Sequence, residues 1–347
     1  MQQAVQSENI KSALTNLALF FVLLAMIAFS LTMGRYPVPL REIVRILLTT
    51  NPLHAHELIT NAPWVVVEIV RLPRILVAVL CGMGLALAGT SMQGVFRNPL
   101  VGPEIAGVSA GASCGGVIAI MLSLPLLGVV GVAFAMGVAA LAIAFAMARL
   151  AKQNSSLALV LSGTIVGTFF MAVVGILESI AEPSTQLPTI VFWLLGSFSG
   201  ETYPKLAVVA ISVTAAGTLL LLLRWRINLL SLGDDDAATL GLNVERLRWS
   251  IMALVAVIVA AQVSVSGVVG WLGLIIPHFA RMLVGAEHRK LLPASAFLGG
   301  IYLLAMDDIA RSVGQEELPI GLLTSVIGAP IFGYLFWKTQ GKGWSRE

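Results

Sequence analysis

The chain has 347 residues, of which 58% are apolar and only 11% are charged. Soluble domains carry about 25% charged residues, and the mean hydropathy of +0.93 is too high for a water-exposed globule of this size. These values, with a net charge of only +3, exclude a soluble enzyme, a disordered protein and a nucleic-acid binder, and they indicate an integral membrane protein with many spans.

Hydropathy predicts about ten transmembrane segments of about 20 residues each. They fall at residues 13–33, 70–92, 103–122, 126–148, 157–179, 205–224, 249–266, 268–284, 292–310 and 319–337. Because lipid offers backbone groups no hydrogen-bond partner, the segments must be helices. The predicted fold is an all-α integral membrane protein with one transmembrane domain over residues 1–347. A further apolar piece, 187–197, is too short to span and is expected to form an interfacial or re-entrant helix.

The distribution of positive charge predicts the orientation of the chain. An even number of spans places both termini on one side of the membrane. The loops on that side hold more Lys and Arg than the opposite loops, so the N- and C-termini are expected in the cytoplasm. The outer side still holds Arg71, Arg74 and Arg311, and these residues need a separate explanation.

The sequence lacks the residue patterns of a catalytic or metal-binding site. It contains no GxxxxGK[ST] motif, so the chain has no P-loop of its own to hydrolyse ATP. His54 and His56 form an H-x-H pair in an outer loop; a metal or haem role stays open, and an ordinary loop is the better interpretation. Cys81 and Cys114 lie in apolar stretches and are interpreted as small buried residues. No charge sits clearly at mid-span, which weighs against an ion-coupled carrier.

Two short motifs flank the second span. Arg71-Leu-Pro-Arg74 makes a cationic spot at the outer membrane surface, either by interfacial snorkelling or as a docking site for an acidic partner. Residues 93–103, QGVFRNPLVGP, link spans two and three on the inner side. Asn98 is a candidate N-cap there, and a tight inner turn is the simplest interpretation.

A charged inner segment, SLGDDDAATLGLNVERLR at residues 231–248, separates spans six and seven. Its three consecutive aspartates favour a helix N-terminus, and Gly241 ends the short helix. Ala237 and Leu240 lie three residues apart and are expected to form an apolar ridge. The segment is either a solvated loop or a surface helix that a cytoplasmic partner holds in a groove.

The last third of the chain contributes further motifs. They are PHFAR at 277–281, the pair Asp307-Asp308 followed by Arg311, ELPIG at 317–321 and GAPIF at 328–332. The spacing of the two aspartates and Arg311 allows ion pairing along one helix.

Taken in order, RLPR, RNPL, the charged inner segment, PHxxR, ELPIG and GAPIF resemble the FecCD-type permeases. These are the membrane subunits of ABC importers for iron–siderophores, haem, cobalamin and related metal chelates. The resemblance covers residues 71–336; each motif is weak alone, and the ordered set is specific. It implies the type II ABC importer permease fold with ten helices.

The resemblance also implies partners. A second permease subunit completes the path, with a homodimer favoured over a heterodimer. Two cytoplasmic ATPase subunits bind ATP and Mg, so this chain is not an enzyme and holds no cofactor. An extracytoplasmic solute-binding protein delivers the cargo, no nucleic acid is involved, and the location is the cytoplasmic (inner) membrane of a bacterium or archaeon.

Residue roles follow from the same resemblance, with no catalytic or metal-ligating residue among them. The positions that match binding-protein docking are Arg71, Arg74 and Arg311. The coupling helix at about 233–242 would contact the ATPase through Gly233, Ala237, Leu240 and Gly241. The cytoplasmic gate would consist of Asn98, Leu100, Ser155, Ser156 and Leu157.

The cargo is the least determined feature. The first expectation is an iron–siderophore chelate, with haem, cobalamin or a molybdate-type oxyanion as alternatives within the family. A cation-coupled secondary transporter is the rival of another class, and a membrane-embedded enzyme is disfavoured because no catalytic constellation occurs.

Overall fold

The computed structural model describes residues 2–34, 36–49, 62–150, 156–313 and 316–340. A turn of helix at Ala62–Trp64 and a π-helical stretch at Val65–Arg71 lead into α3, and a 3₁₀ turn at Pro103–Ala106 precedes α4. The α-helices are α1 (Gln2–Thr32), α2 (Leu40–Thr49), α3 (Leu72–Phe96), α4 (Val108–Met121), α5 (Leu126–Leu150), α6 (Ser156–Ile180), α7 (Gln186–Leu194), α8 (Tyr203–Leu230), α9 (Asp234–Thr239), α10 (Val244–Ser266), α11 (Leu272–Val284), α12 (His288–Ser312) and α13 (Ile320–Gln340).

Within the described ranges, seven helices are long and apolar enough to cross a membrane, namely α1, α3, α5, α6, α8, α10 and α12. Three shorter apolar helices, α4, α11 and α13, occupy the remaining predicted spans. The predicted all-α membrane fold is therefore confirmed.

The helices α4 and α11 are shorter than the predicted spans 103–122 and 268–284, so two predicted boundaries were wrong. Gly107, with a φ of 73°, separates the 3₁₀ turn from α4, which keeps only 14 residues. Trp271, with a φ of 67°, delays the start of α11, which keeps 13 residues. At 1.5 Å per residue both helices are about 20 Å long, shorter than a hydrocarbon core of about 30 Å. One end of each helix therefore lies within the depth of the bundle.

Helix α3 lies at the centre of the bundle, where it packs against α8, α10, α11 and α12. Glycines allow this packing. A Cβ atom at Gly82 would lie 2.2 Å from the carbonyl oxygen of Gly299, and one at Gly89 would lie 2.0 Å from that of Gly273. Such close backbone approach replaces the hydrophobic drive that is missing between helices in lipid.

The predicted short helix at 187–197 is α7 with the turn that follows it. Backbone hydrogen bonds join this turn to two other segments: Ser197 donates to the carbonyl of Ser266, and Gly196 accepts from Ile320, each at 2.9 Å. These bonds satisfy backbone groups that a membrane could not satisfy. They tie α7 to the ends of α10 and α13.

Helix α6 lies at the edge of the bundle. Leu161, Ile165 and Phe169 are exposed along one face, while Phe170 and Val174 are buried on the other. An exposed apolar face on a membrane helix meets lipid or a neighbouring subunit.

Candidate functional site

A cavity of about 720 Å³ lies between the 3₁₀ turn at Pro103–Ala106, α4 and α6. Glycines and short hydroxyl side chains dominate its wall: Gly107, Ser109, Ser113, Gly163, Thr164, Gly167 and Thr168. These residues offer hydrogen bonds without bulk. The wall therefore projects little side-chain bulk into the cavity.

Two glycines keep the wall of this cavity in place. A Cβ atom at Gly163 would lie 2.1 Å from the carbonyl oxygen of Ile105, and one at Gly107 would lie 2.8 Å from that of Gly163. Because backbone cannot yield as a flexible side chain can, a larger residue at Gly163 would push α6 away from the 3₁₀ turn. The cavity depends on this close contact.

Glu104 is the one charged residue among the described residues that line the cavity. Its Oε1 lies near the start of α11, 4.0 Å from where a Cβ atom of Gly270 would be. Sequence reasoning missed this carboxylate because it falls at the second position of the predicted span 103–122, where charges commonly belong to a helix end. In the structure it belongs to the 3₁₀ turn before Gly107 and lines the cavity, and an ionisable group inside a membrane bundle is a functional candidate.

The predicted docking residues Arg71, Arg74 and Arg311 converge at the end of the bundle where α3 begins, and all three are buried. The Arg74 guanidinium donates to both carboxylate oxygens of Asp307 at 2.9–3.1 Å. It also donates to Glu317 at 2.9 Å. The Asp307 side chain is fully enclosed, whereas that of Glu317 is 33% exposed.

The other two arginines bind α1 to the bundle. Arg311 forms an ion pair with Asp308 and donates to the carbonyl oxygen of Ser30 at 2.7 Å. Arg71 donates to the carbonyl oxygen of Leu31, also at 2.7 Å. The predicted pairing of Arg311 within its helix is confirmed.

The cationic spot predicted at the surface for Arg71 and Arg74 is wrong, because both guanidiniums are enclosed and have partners within the chain. Guanidinium groups that are removed from water need such partners to offset their desolvation. A role in docking a delivery protein stays a prediction. Glu317, which pairs with Arg74, and its neighbour Glu316 are both exposed.

The predicted coupling segment 233–242 contains α9, and Gly233 and Gly241 flank it with φ angles of 138° and 83°. Leu240 is exposed, as an apolar contact residue must be, but Ala237 is fully buried against the chain's own core. The predicted ridge of Ala237 and Leu240 is therefore wrong for Ala237. Ala237 lies on the side of this six-residue helix that faces the bundle, and the alanine fits there because it is small.

The aspartates of α9 lie in its first turn, as predicted. Asp234 pairs with Arg248 at 2.9 Å and with Arg97 at 3.4 Å. These pairs fix α9 to the start of α10 and to the end of α3. Contact of this segment with an ATPase stays a prediction.

The predicted gate residues are only partly described. Asn98 and Leu100 are exposed at the end of α3, and the Asn98 side chain accepts from the backbone N–H of Leu100 at 2.9 Å. Asn98 thus closes a local turn and does not cap a long helix, because α4 begins ten residues later. Ser155 lies outside the described residues, and Ser156 and Leu157 begin α6. The gate therefore stays a prediction.

The described part of the chain holds no group of three or more His, Cys, Asp or Glu residues that could bind a metal ion. His54 and His56 lie outside the described residues. Cys81 and Cys114 are free and buried, as predicted.

Comparison with known proteins covers nearly the whole chain. The FecCD transport family matches residues 22–338. The chain is 42% identical over 345 residues to the molybdate import system permease protein MolB of Haemophilus influenzae, covering 98% of this chain and 99% of that protein. It is 40% identical to the hemin transport system permease protein HmuU of Yersinia pestis, covering 81% of this chain and 85% of that protein.

A solved structure is similar in fold as well as in sequence. It is an inward-facing conformation of a metal-chelate type ABC transporter, with a TM-score of 0.82 and 41% identity. The match covers 93% of this chain and 98% of that one.

Proposed function

The chain belongs to the FecCD transport family, and on this premise we propose that it moves a metal-containing solute through the cytoplasmic membrane as the permease subunit of an ABC importer. The observation that carries the proposal is the cavity of about 720 Å³ walled by glycines and short hydroxyl residues. Such a wall suits passage of a bulky solute, because it has few groups that could hold the solute tightly.

The partners of this permease are part of the proposal. A second copy of the chain would cover the exposed face of α6 and close the cavity into a central path. Two ATPase subunits would supply ATP and Mg and would contact Leu240 beside α9, the exposed apolar residue of that segment. A solute-binding protein would deliver the cargo to the end that carries Arg74, and the N- and C-termini would lie in the cytoplasm.

The first cargo candidate is an iron chelate of the siderophore type. The similarity to a hemin permease favours an iron-containing chelate. The cavity is also larger than a bare oxyanion requires, and the Glu104 carboxylate in its wall would repel a small dianion. The second candidate is molybdate, which the 42% identity to a molybdate permease favours.

Uptake by proteoliposomes tests the proposal and separates the two cargoes. The vesicles contain the permease with its ATPase subunits, and the solute-binding protein is added outside with radiolabelled ferric siderophore or radiolabelled molybdate. The proposal predicts ATP-dependent accumulation of the ferric siderophore. Accumulation of molybdate alone would assign the second cargo, and accumulation of neither would contradict both assignments.

A further inference from the structure

A second cavity, of about 410 Å³, lies at the opposite end of α3 from Arg74 and is rich in basic side chains. Arg97 ends α3, His278 and Arg281 lie three residues apart on one face of α11, and His288 begins α12. All four line the cavity, and none of the described residues that line it is Asp or Glu. The two arginines give the cavity a positive potential, and the two histidines add hydrogen-bonding nitrogens.

His288 is the residue whose hydrogen bonding is incomplete. It is only 6% exposed, and neither ring nitrogen has a hydrogen-bond partner among the described residues. Its position is fixed nonetheless, because its backbone N–H donates to the side-chain oxygen of Asn228 at 3.1 Å and its ring lies against Gly94. A buried imidazole without a partner is costly, and an acceptor bound in the cavity would remove this cost.

The two arginines of the lining are also not engaged in close ion pairs among the described residues. The hydrogen bond of Arg281 goes to the neutral side chain of Gln93. Arg97 is paired only loosely, at 3.4 Å, with Asp234, which Arg248 already engages at 2.9 Å. Arg97 can therefore turn from Asp234 to a ligand in the cavity at little cost.

Two acidic residues lie near the cavity. Glu287 precedes His288 along the chain, and it pairs with Lys290 at 3.2 Å, away from the lining. Asp234, at 3.4 Å, balances part of the charge of Arg97, and the remaining positive charge of the lining has no carboxylate partner among the described lining residues.

We propose that this cavity binds an anionic group of the phosphate class, with Arg97, Arg281 and His288 as its donors. A tetrahedral oxyanion accepts several hydrogen bonds at once. These three residues belong to different helices around one cavity, and arginine is well suited to bind such an anion. Phe332 and Leu335 form an apolar side of the cavity. The group can therefore be a free oxyanion or the phosphate of an anionic lipid headgroup.

The first test uses inorganic phosphate and the full-length permease in detergent. Thermal unfolding is followed as phosphate replaces chloride at constant ionic strength. The expected result is a saturable increase in the unfolding temperature. Arg97→Gln and His288→Gln should each weaken the apparent affinity about tenfold, the loss expected for one hydrogen bond to a charged group. Arg97 is exposed, so its variant keeps the test valid even where His288→Gln fails to fold.

Arg289→Gln is the matched control. It removes the same charge from the same end of the bundle, but Arg289 lies over Trp225 and does not line the cavity. Its phosphate affinity should equal that of the unchanged chain. An equal loss in Arg289→Gln and Arg97→Gln would overturn the proposal, because the effect would then be one of general surface charge.

A second arm distinguishes the two sources of the group. The same variants are unfolded in nanodiscs of phosphatidylcholine, with and without phosphatidylglycerol. Stabilisation by phosphatidylglycerol that Arg97→Gln abolishes, without an effect of inorganic phosphate, would assign the site to a lipid headgroup. The absence of any Arg97-dependent stabilisation in both arms would overturn the proposal.

Discussion

The pairing of Arg74 with Asp307 makes a quantitative prediction about stability. Asp307 is fully enclosed and accepts three hydrogen bonds from Arg74, whereas Glu317, the second partner of the same guanidinium, is 33% exposed. Breaking a buried ion pair on one side costs about 3–5 kcal/mol, because the remaining charge stays buried. An exposed pair is worth about 0–1 kcal/mol. Asp307→Asn should therefore lower the free energy of unfolding several times more than Glu317→Gln.

The free energies are measured by titrating the purified permease in mixed micelles with sodium dodecyl sulfate and following helical circular dichroism. Both variants remove one negative charge next to the same arginine, so Glu317→Gln is the matched control. The combined variant Arg74→Met with Asp307→Leu should be more stable than Asp307→Asn, because both fully buried charges are removed together and Glu317, which loses its partner, is 33% exposed. Equal losses in Asp307→Asn and Glu317→Gln would refute a structural role for the buried pair.

Five further variants test three other parts of the structure. Gly89→Val should destabilise the bundle, because its Cβ would meet the Gly273 carbonyl at 2.0 Å, and Gly131→Ala, with open space around it, should be neutral in thermal unfolding. Leu240→Glu should weaken co-purification of the ATPase subunits and leave the stability of the permease unchanged. Ala237→Glu should instead destabilise the permease itself. A stable Ala237→Glu variant and an unstable Leu240→Glu variant would contradict the burial of Ala237. Glu104→Gln should raise molybdate uptake relative to ferric siderophore uptake, and unchanged ratios would exclude Glu104 from the path.

The sequence was sufficient to predict the fold class and the position of each apolar segment, because hydropathy over about 20 residues is a strong signal in membrane proteins. It was not sufficient to predict where helices are broken. Gly107 and Trp271 adopt positive φ angles, and hydropathy averaged over a whole span does not respond to a single residue. The short helices α4 and α11 therefore appear only in the structure.

In the candidate site, too, the sequence predicts local features and misses contacts between distant segments. The sequence motifs identified Arg74 and Arg311 as candidate residues, and the spacing of Arg311 and Asp308 predicted that they pair. The pairing of Arg74 with Asp307 joins residues 233 positions apart, and no local pattern predicts such a contact. Burial of Ala237 is likewise set by tertiary packing, since the six residues of α9 have no apolar period long enough to define a face.

Coupling of transport to ATP is the most direct test of the central claim that this chain is an ABC importer permease. Cargo uptake is measured in proteoliposomes with the permease alone, under imposed proton and sodium gradients, and with the ATPase subunits, the solute-binding protein and ATP. We predict uptake only in the complete system with ATP, and none with a gradient alone. Gradient-driven uptake by the permease alone, without ATPase subunits, would contradict the assignment and identify a cation-coupled secondary transporter.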